Sequence, residues 1–257
     1  MKFVDTGWLS ARFSLFINFQ VNYHQYIILN IVNHKQKMNQ QLFEAVDQYI
    51  CKLFAPSDEA LDAVVASIEK NNIPQISISA SQGKFLQVLV KVCKAKTILE
   101  IGTLAGYSTI WMARGLPADG KLISLEYERL HADVASENIR RAGLDKVVEI
   151  RVGKGLDLMP LLQQEQKVFD MIFIDADKPP YAEYFEWALK LSHPGTLIIA
   201  DNVIRSGKIL NESEEDEAVK GVQRFNKLLA ATKQVTACII QNVGEKEHDG
   251  MAIAVVN

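Results

Sequence analysis

The residues best suited to chemistry stand in two short runs, Asp175-Ala176-Asp177-Lys178 and Asp201-Asn202, each directly after a stretch of apolar residues. Carboxylate and amide oxygens, with no histidine or cysteine among them, suit a hard cation: Mg²⁺ first, with Mn²⁺ or Ca²⁺ as alternatives. A cation held by Asp175, Asp201 and Asn202 could engage two vicinal oxygens of a small molecule and lower the pKa of one hydroxyl. Lys178 could take that proton or stabilise the resulting oxyanion. The same letters would also serve as an Asx-capped turn and a surface lysine.

A second group lies upstream. Glu100, Gly102 and Gly106 stand in LEIGTLAGYST with the spacing E-x-G-x-x-x-G. This differs from the G-x-G-x-x-G that admits a pyrophosphate to a helix N-terminus. The glycines allow close backbone approach to a bulky ligand without phosphate, although a tight turn would need them equally. Glu100 suits a cationic ligand, and Glu126 stands where a carboxylate can hold a ribose diol. Together they point to a nucleoside with a positive centre, and S-adenosylmethionine is such a molecule.

These residues need a frame to converge, and the chain alternates apolar runs with amphipathic ones. Strands are expected at 97–102, 121–126, 147–153, 169–175, 196–202, 235–241 and 250–257. Helices are expected at 40–54, 57–70, 81–94, 107–115, 129–142, 155–164, 181–190 and 215–231, with Ser57 capping the second and Gly143 closing the fifth. Strands apolar on both faces belong to a parallel sheet with helices on either side. The last two are joined by too short a loop for a crossover helix, so they pair antiparallel. The expected fold is a doubly wound α/β sheet of seven strands, mostly parallel, with ligands outside the strands' carboxyl ends. The polar run 205–218 reads either as a lid over that edge or as a solvated loop.

Composition narrows the function. A net charge of -3 over 257 residues offers no basic surface for nucleic acid. Cys51, Cys93 and Cys238 are widely separated and form no framework, which suits buried thiols in a reducing cytoplasm. The histidines form no zinc pair, and His193 reads as a turn residue. Residues 1–37 are expected to be an extension, disordered or outside the functional chain, with Met38 opening the functional part. Asp5, Arg12 and Asn18 break their hydrophobic runs short of the roughly 18 residues that span a membrane, so no membrane partner is expected, a weak surface segment being the alternative.

The landmarks SASQGKFL, LEIGTLAGYST, SLEYE, FDMIFIDADK, LIIADNV and RFN resemble those of the cation-dependent O-methyltransferases, the caffeoyl-coenzyme A and catechol O-methyltransferase-like family, in its bacterial branch. The resemblance runs from about Met38 to Asn257 and implies the Rossmann-like fold of class I methyltransferases. It further implies cosubstrate contacts from Ile78, Glu100, Gly102, Thr103, Ser108, Glu126, Gly155, Asp175 and Asp177. Asp175, Asp201 and Asn202 match the metal ligands, and Lys178, with Asp175, the catalytic pair. A catechol-type acceptor and a homodimer follow from the same likeness. Pro179-Pro180, Arg205-Ser206 and the HPGT turn depart from the family pattern and leave the acceptor open. A metal-independent methyltransferase, a nucleotide oxidoreductase and a non-catalytic cosubstrate binder are the rival readings; the glycine spacing disfavours the oxidoreductase.

Overall fold

The structure is a computed structural model and describes residues 39–245 and 248–257. The expected extension at 1–37 lies outside the described residues. The chain divides between Val46 and Asp47, and Asp47–Asn257 forms a compact unit. Residues 39–54 are helical (α1).

The unit Asp47–Asn257 alternates strands and helices as expected. In chain order it contains α2 (Glu59–Lys70), α3 (Ala80–Val92), β1 (Thr97–Ile101), α4 (Tyr107–Ala113), β2 (Lys121–Glu126) and α5 (Arg129–Arg141). There follow β3 (Val148–Val152), α6 (Gly155–Gln164), β4 (Phe169–Ile174), α7 (Tyr181–Lys190), β5 (Ser192–Asp201), α8 (Glu217–Ala231), β6 (Val235–Asn242) and β7 (Asp249–Val256). One seven-stranded sheet runs in the order β3-β2-β1-β4-β5-β7-β6. The first five strands are parallel, and β7 is antiparallel to both β5 and β6. This is the expected topology, with β7 inserted between β5 and the edge strand β6.

Both faces of the sheet are covered, which is why its central strands are apolar throughout. Leu99, Ile101, Ile172, Ile174, Ile198 and Ala200 pack on one side with Tyr181, Phe185 and Phe225 of α7 and α8. Ile98, Met171, Phe173, Leu197 and Ile199 alternate with them and pack on the other side with Leu86, Val90 and Met112 of α3 and α4. The two-residue period of a strand produces this division. It also sends Glu100 to the α3–α4 side, the side of Ile98.

Several boundaries differ from expectation. Asp58, not Ser57, caps α2: its side chain accepts from the amides of Ala60 and Leu61, while the Ser57 hydroxyl donates to Asp62. β5 begins at Ser192 rather than Thr196, because Phe169 pairs with Ser192 before the register shifts to Met171 opposite Leu197. His193 thus lies within the strand and contacts the Asp170 carboxylate and the Pro194 carbonyl. The three cysteines are free, but none is buried as expected: Cys51 and Cys93 are half-buried, and Cys238 is exposed on β6, the sheet's edge. No helix among the described residues is long and apolar enough to cross a membrane.

Candidate functional site

Parallel strands deliver their carboxyl ends to one edge of the sheet. Ile101 of β1 pairs with Leu125 of β2 and Ile174 of β4, and Ile174 pairs with Ala200 of β5. Glu126, the residues after Ile101, Asp175 and Asp201 therefore arrive side by side. Strands about 5 Å apart make such neighbours close enough to share one small ligand.

The β1–β2 half of the edge is a finished network. Glu100 is fully buried, and its carboxylate accepts from the hydroxyls of Ser108 (2.5 Å), Thr109 (2.5 Å) and Ser124 (2.6 Å). Burial pushes its pKa up to about 7, with the three hydroxyls acting against that rise. Ser124 gives its single proton to Glu100, so Thr103 is the donor in the 2.5 Å contact between the Thr103 and Ser124 hydroxyls. The expectation that Glu100 and Ser108 face a ligand meets a different arrangement: each is turned to the other, tying β1 to the first turn of α4.

Glu126 does similar work in the loop above. One carboxylate oxygen accepts from the amides of Thr103 (3.0 Å) and Leu104 (2.8 Å), and the other from that of Glu128 (2.8 Å). A carboxylate has about four acceptor positions, so one remains on Oε1. His131 Nδ1 lies 3.6 Å from that oxygen. Gly102 makes the loop possible: its φ is +97°, and a Cβ there would stand 2.1 Å from the Asp175 carbonyl oxygen. The loop is thereby pressed against the end of β4.

The β4–β5 half carries less satisfied charge. Asp175 accepts from Lys178 Nζ at 3.1 Å. Lys178 is buried and also donates to the Tyr181 hydroxyl at 2.5 Å, which in turn donates to the Asp201 carbonyl at 2.9 Å. Tyr181 is fully buried, and burial, then the charges of Asp175 and Asp201, hold its phenol well above the ordinary range. Asp201 is buried, and its side chain accepts one bond, 2.8 Å from the Asn202 amide. Burial, followed by the negative charge of Asp175, raises its pKa. Asn202 has a left-handed backbone, φ +58°.

Asp175 and Asp201 repel each other, and Asn202 follows Asp201 directly, so the residues at this strand end offer oxygen donors and no sulfur or imidazole. A divalent cation fits them, because the ion would offset the repulsion that raises Asp201. The cluster holds fewer than three carboxylate, histidine or cysteine groups, and no larger set occurs among the described residues.

The remaining expected residues are dispersed. Asp177 is exposed and accepts from the Tyr184 hydroxyl at 2.7 Å. Gly155 opens α6, and a Cβ on it would meet Tyr184 at 2.9 Å, so its small size already has a reason inside the protein. Ile78 is buried with α3 and precedes Ser79, whose hydroxyl forms a capping box with Gln82. Sequence reasoning missed Thr109, Ser124 and Tyr181. Tyr181 opens α7 directly after the Lys178-Pro179-Pro180 turn, and its nearness to Lys178 is set by that turn rather than by any spacing rule.

Residues 52–255 match a family model described as O-methyltransferase. A catechol O-methyltransferase of Niastella koreensis is 59% identical over 220 residues, which are 85% of this chain and 100% of that protein. Among solved structures, the O-methyltransferase of Bacillus cereus in complex with SAH superposes with a TM-score of 0.83 at 48% identity, covering 84% of this chain and 99% of that one. The O-methyltransferase TomG of Streptomyces achromogenes in complex with SAM gives 0.82 at 43%, covering 85% and 98%.

Proposed function

The chain belongs to the O-methyltransferase family and is an S-adenosylmethionine-dependent enzyme; from that premise we propose that it is divalent-metal-dependent and methylates a vicinal dihydroxy phenol. The observation that carries this reading is the placement of Asp175 and Asp201 one residue beyond the paired Ile174 and Ala200, with Asn202 next in the chain and Lys178 against Asp175. Asp175, Asp201 and Asn202 would hold the cation, Mg²⁺ in the first place. When bound, such an ion supplies positive charge that favours ionisation of a neighbouring phenol.

The chain's own groups do the rest. An ammonium has three N–H donors. Asp175 and Tyr181 take two of those of Lys178, and the third is left to hold the acceptor's reacting oxygen. Asp175 orients the lysine, and the Asp201 carbonyl orients Tyr181. On the other side, the last acceptor position of Glu126 takes a ribose hydroxyl, while Gly102, Thr103 and Gly155 form the wall facing the nucleoside. Glu100 and Ser108 brace that wall, and Ile78 and Asp177 complete it. The acceptor's hydroxyl first loses its proton to solvent; the phenolate oxygen then forms the carbon–oxygen bond as the carbon–sulfur bond breaks, and S-adenosylhomocysteine leaves. The alignment of donor with acceptor across the β1–β4 junction supplies much of the rate.

The domain is taken as residues 38–257. The catechol O-methyltransferase relative supports the acceptor class. Three free cysteines support a reducing, cytoplasmic setting. The outward side of β6, with Ile239 and Ile240 exposed, supports a homodimer, since a bare apolar edge strand invites pairing. A direct test compares catechol with its monomethyl ether as acceptors. The reading predicts transfer to catechol alone; equal rates on both would refute a requirement for vicinal oxygens.

A further inference from the structure

The turn that follows Asn202 is held from two sides. The Asn226 side chain of α8 donates to the Val203 carbonyl at 2.9 Å, and the Val203 amide donates to the Gly250 carbonyl at 3.0 Å. The Asp249 carboxylate accepts from the amides of Ile204 (2.9 Å) and Arg205 (3.0 Å). Arg205 and Ser206 are non-glycine residues with left-handed backbone, φ +55° and +54°. Consecutive residues in that region persist only when their surroundings dictate it, and such strain gathers at functional sites.

What the turn presents is a guanidinium without a counter-ion. Arg205 Nε is buried and has no hydrogen-bond partner, and Arg205 forms no ion pair among the described residues. Asp249 turns Oδ1 to the amides of Ile204, Arg205 and Gly250, Asp175 turns Oδ1 to Lys178, and neither carboxylate forms an ion pair with Arg205. The charge of Arg205 is felt at the Tyr181 hydroxyl, which touches both Lys178 and the Asp201 backbone. Arg205 also stands three residues after Asn202, on the turn that leaves the strand end carrying Asp201, and its unpartnered Nε is buried there. An unpaired buried N–H on a cation calls for an anion, and the Nε side of arginine makes a two-point fork that matches a carboxylate.

We propose that Arg205 sets acceptor specificity by receiving a carboxylate carried on the acceptor's aromatic system, away from the reacting hydroxyls. Dihydroxybenzoates and dihydroxycinnamates are then preferred over uncharged diphenols. This rests on the vicinal-diphenol reading above, and the test separates the two.

The probes are 3,4-dihydroxybenzoate, its methyl ester and 3,4-dihydroxyphenethylamine, with kcat/KM measured for each in the full-length enzyme. The wild type should prefer the acid to the ester by roughly ten- to hundredfold, the worth of a charge-assisted pair, carried mainly in KM. Arg205→Met should remove that preference, Arg205→Lys should restore part of it, and Arg205→Glu should favour the amine over the acid. Each result is a ratio between acceptors, so a general loss of folding or turnover cancels. A wild type indifferent to the carboxylate, or a preference that survives Arg205→Met, overturns the assignment and leaves the diphenol reading standing. No transfer to any of the three overturns both.

Discussion

The two halves of the sheet's carboxyl edge treat their carboxylates in opposite ways. Between β1 and β2, Glu100 and Glu126 each accept three hydrogen bonds from the protein. Between β4 and β5, the Asp201 side chain accepts one bond, Asp175 leans on a single lysine, and Arg205 keeps a buried donor unpaired. The first half is organised without any ligand. The second holds charges that only a cation and an acceptor would balance. On the proposed reading the two serve different ends: a rigid seat for a cosubstrate common to every turnover, and an electrostatically incomplete seat that a metal and acceptor would finish.

The comparison breaks most readily at Asp201. Asp201→Ala should lower kcat/KM by roughly a thousandfold, as the loss of a metal ligand and of the charge it places. Titration of Mg²⁺ against activity would check this, and near-normal turnover would make both halves structural. The next effect is on stability. Glu100 has its pKa raised to about 7 from 4.5, so the folded state holds a proton that the unfolded chain releases. Its contribution therefore favours folding less as pH rises through that window. Chemical denaturation of wild type and Glu100→Gln at pH 5 and pH 8 should show the variant gaining relative to wild type by a few kcal/mol at the higher pH. A pH-independent difference would mean that Glu100 is ionised as easily in the fold as in water.

Lys178→Met should lower kcat by roughly a hundredfold with little change in cosubstrate affinity, because its free donor faces the acceptor side. Single-turnover rates and cosubstrate binding measured together would check the split, and an equal loss in both would place the lysine in general architecture. The smallest effect is expected from Asp249→Asn, which weakens the clamp on the turn beyond Asn202. Metal affinity should fall roughly tenfold, the usual scale for a group that orients a ligand from behind. Calorimetric titration of Mn²⁺ reads it, and unchanged affinity would show the turn to be rigid without Asp249.

The sheet was legible because its strands are buried on both faces, which leaves unbroken apolar runs such as FDMIFI and TLIIA. The helix caps were less legible. Ser57 and Asp58 are adjacent and both able to cap, and only the backbone geometry chooses Asp58. In the site, Asp175, Lys178, Asp201 and Asn202 announced themselves as polar residues at the ends of apolar strands, and the fold brings them together. Glu100 has a role that its position in the sequence did not reveal. A strand-end acid reads as a ligand-facing group, yet the two-residue period turns it toward α4, where three hydroxyls from Ser108, Thr109 and Ser124 meet it. Arg205 was visible only as a departure from pattern, since a missing partner exists in space and not in sequence.

The most direct test follows methyl transfer from labelled S-adenosylmethionine to catechol, in a chelator and then with Mg²⁺ added back. The account predicts transfer that the chelator abolishes and Mg²⁺ restores; equal transfer with and without the metal would contradict it.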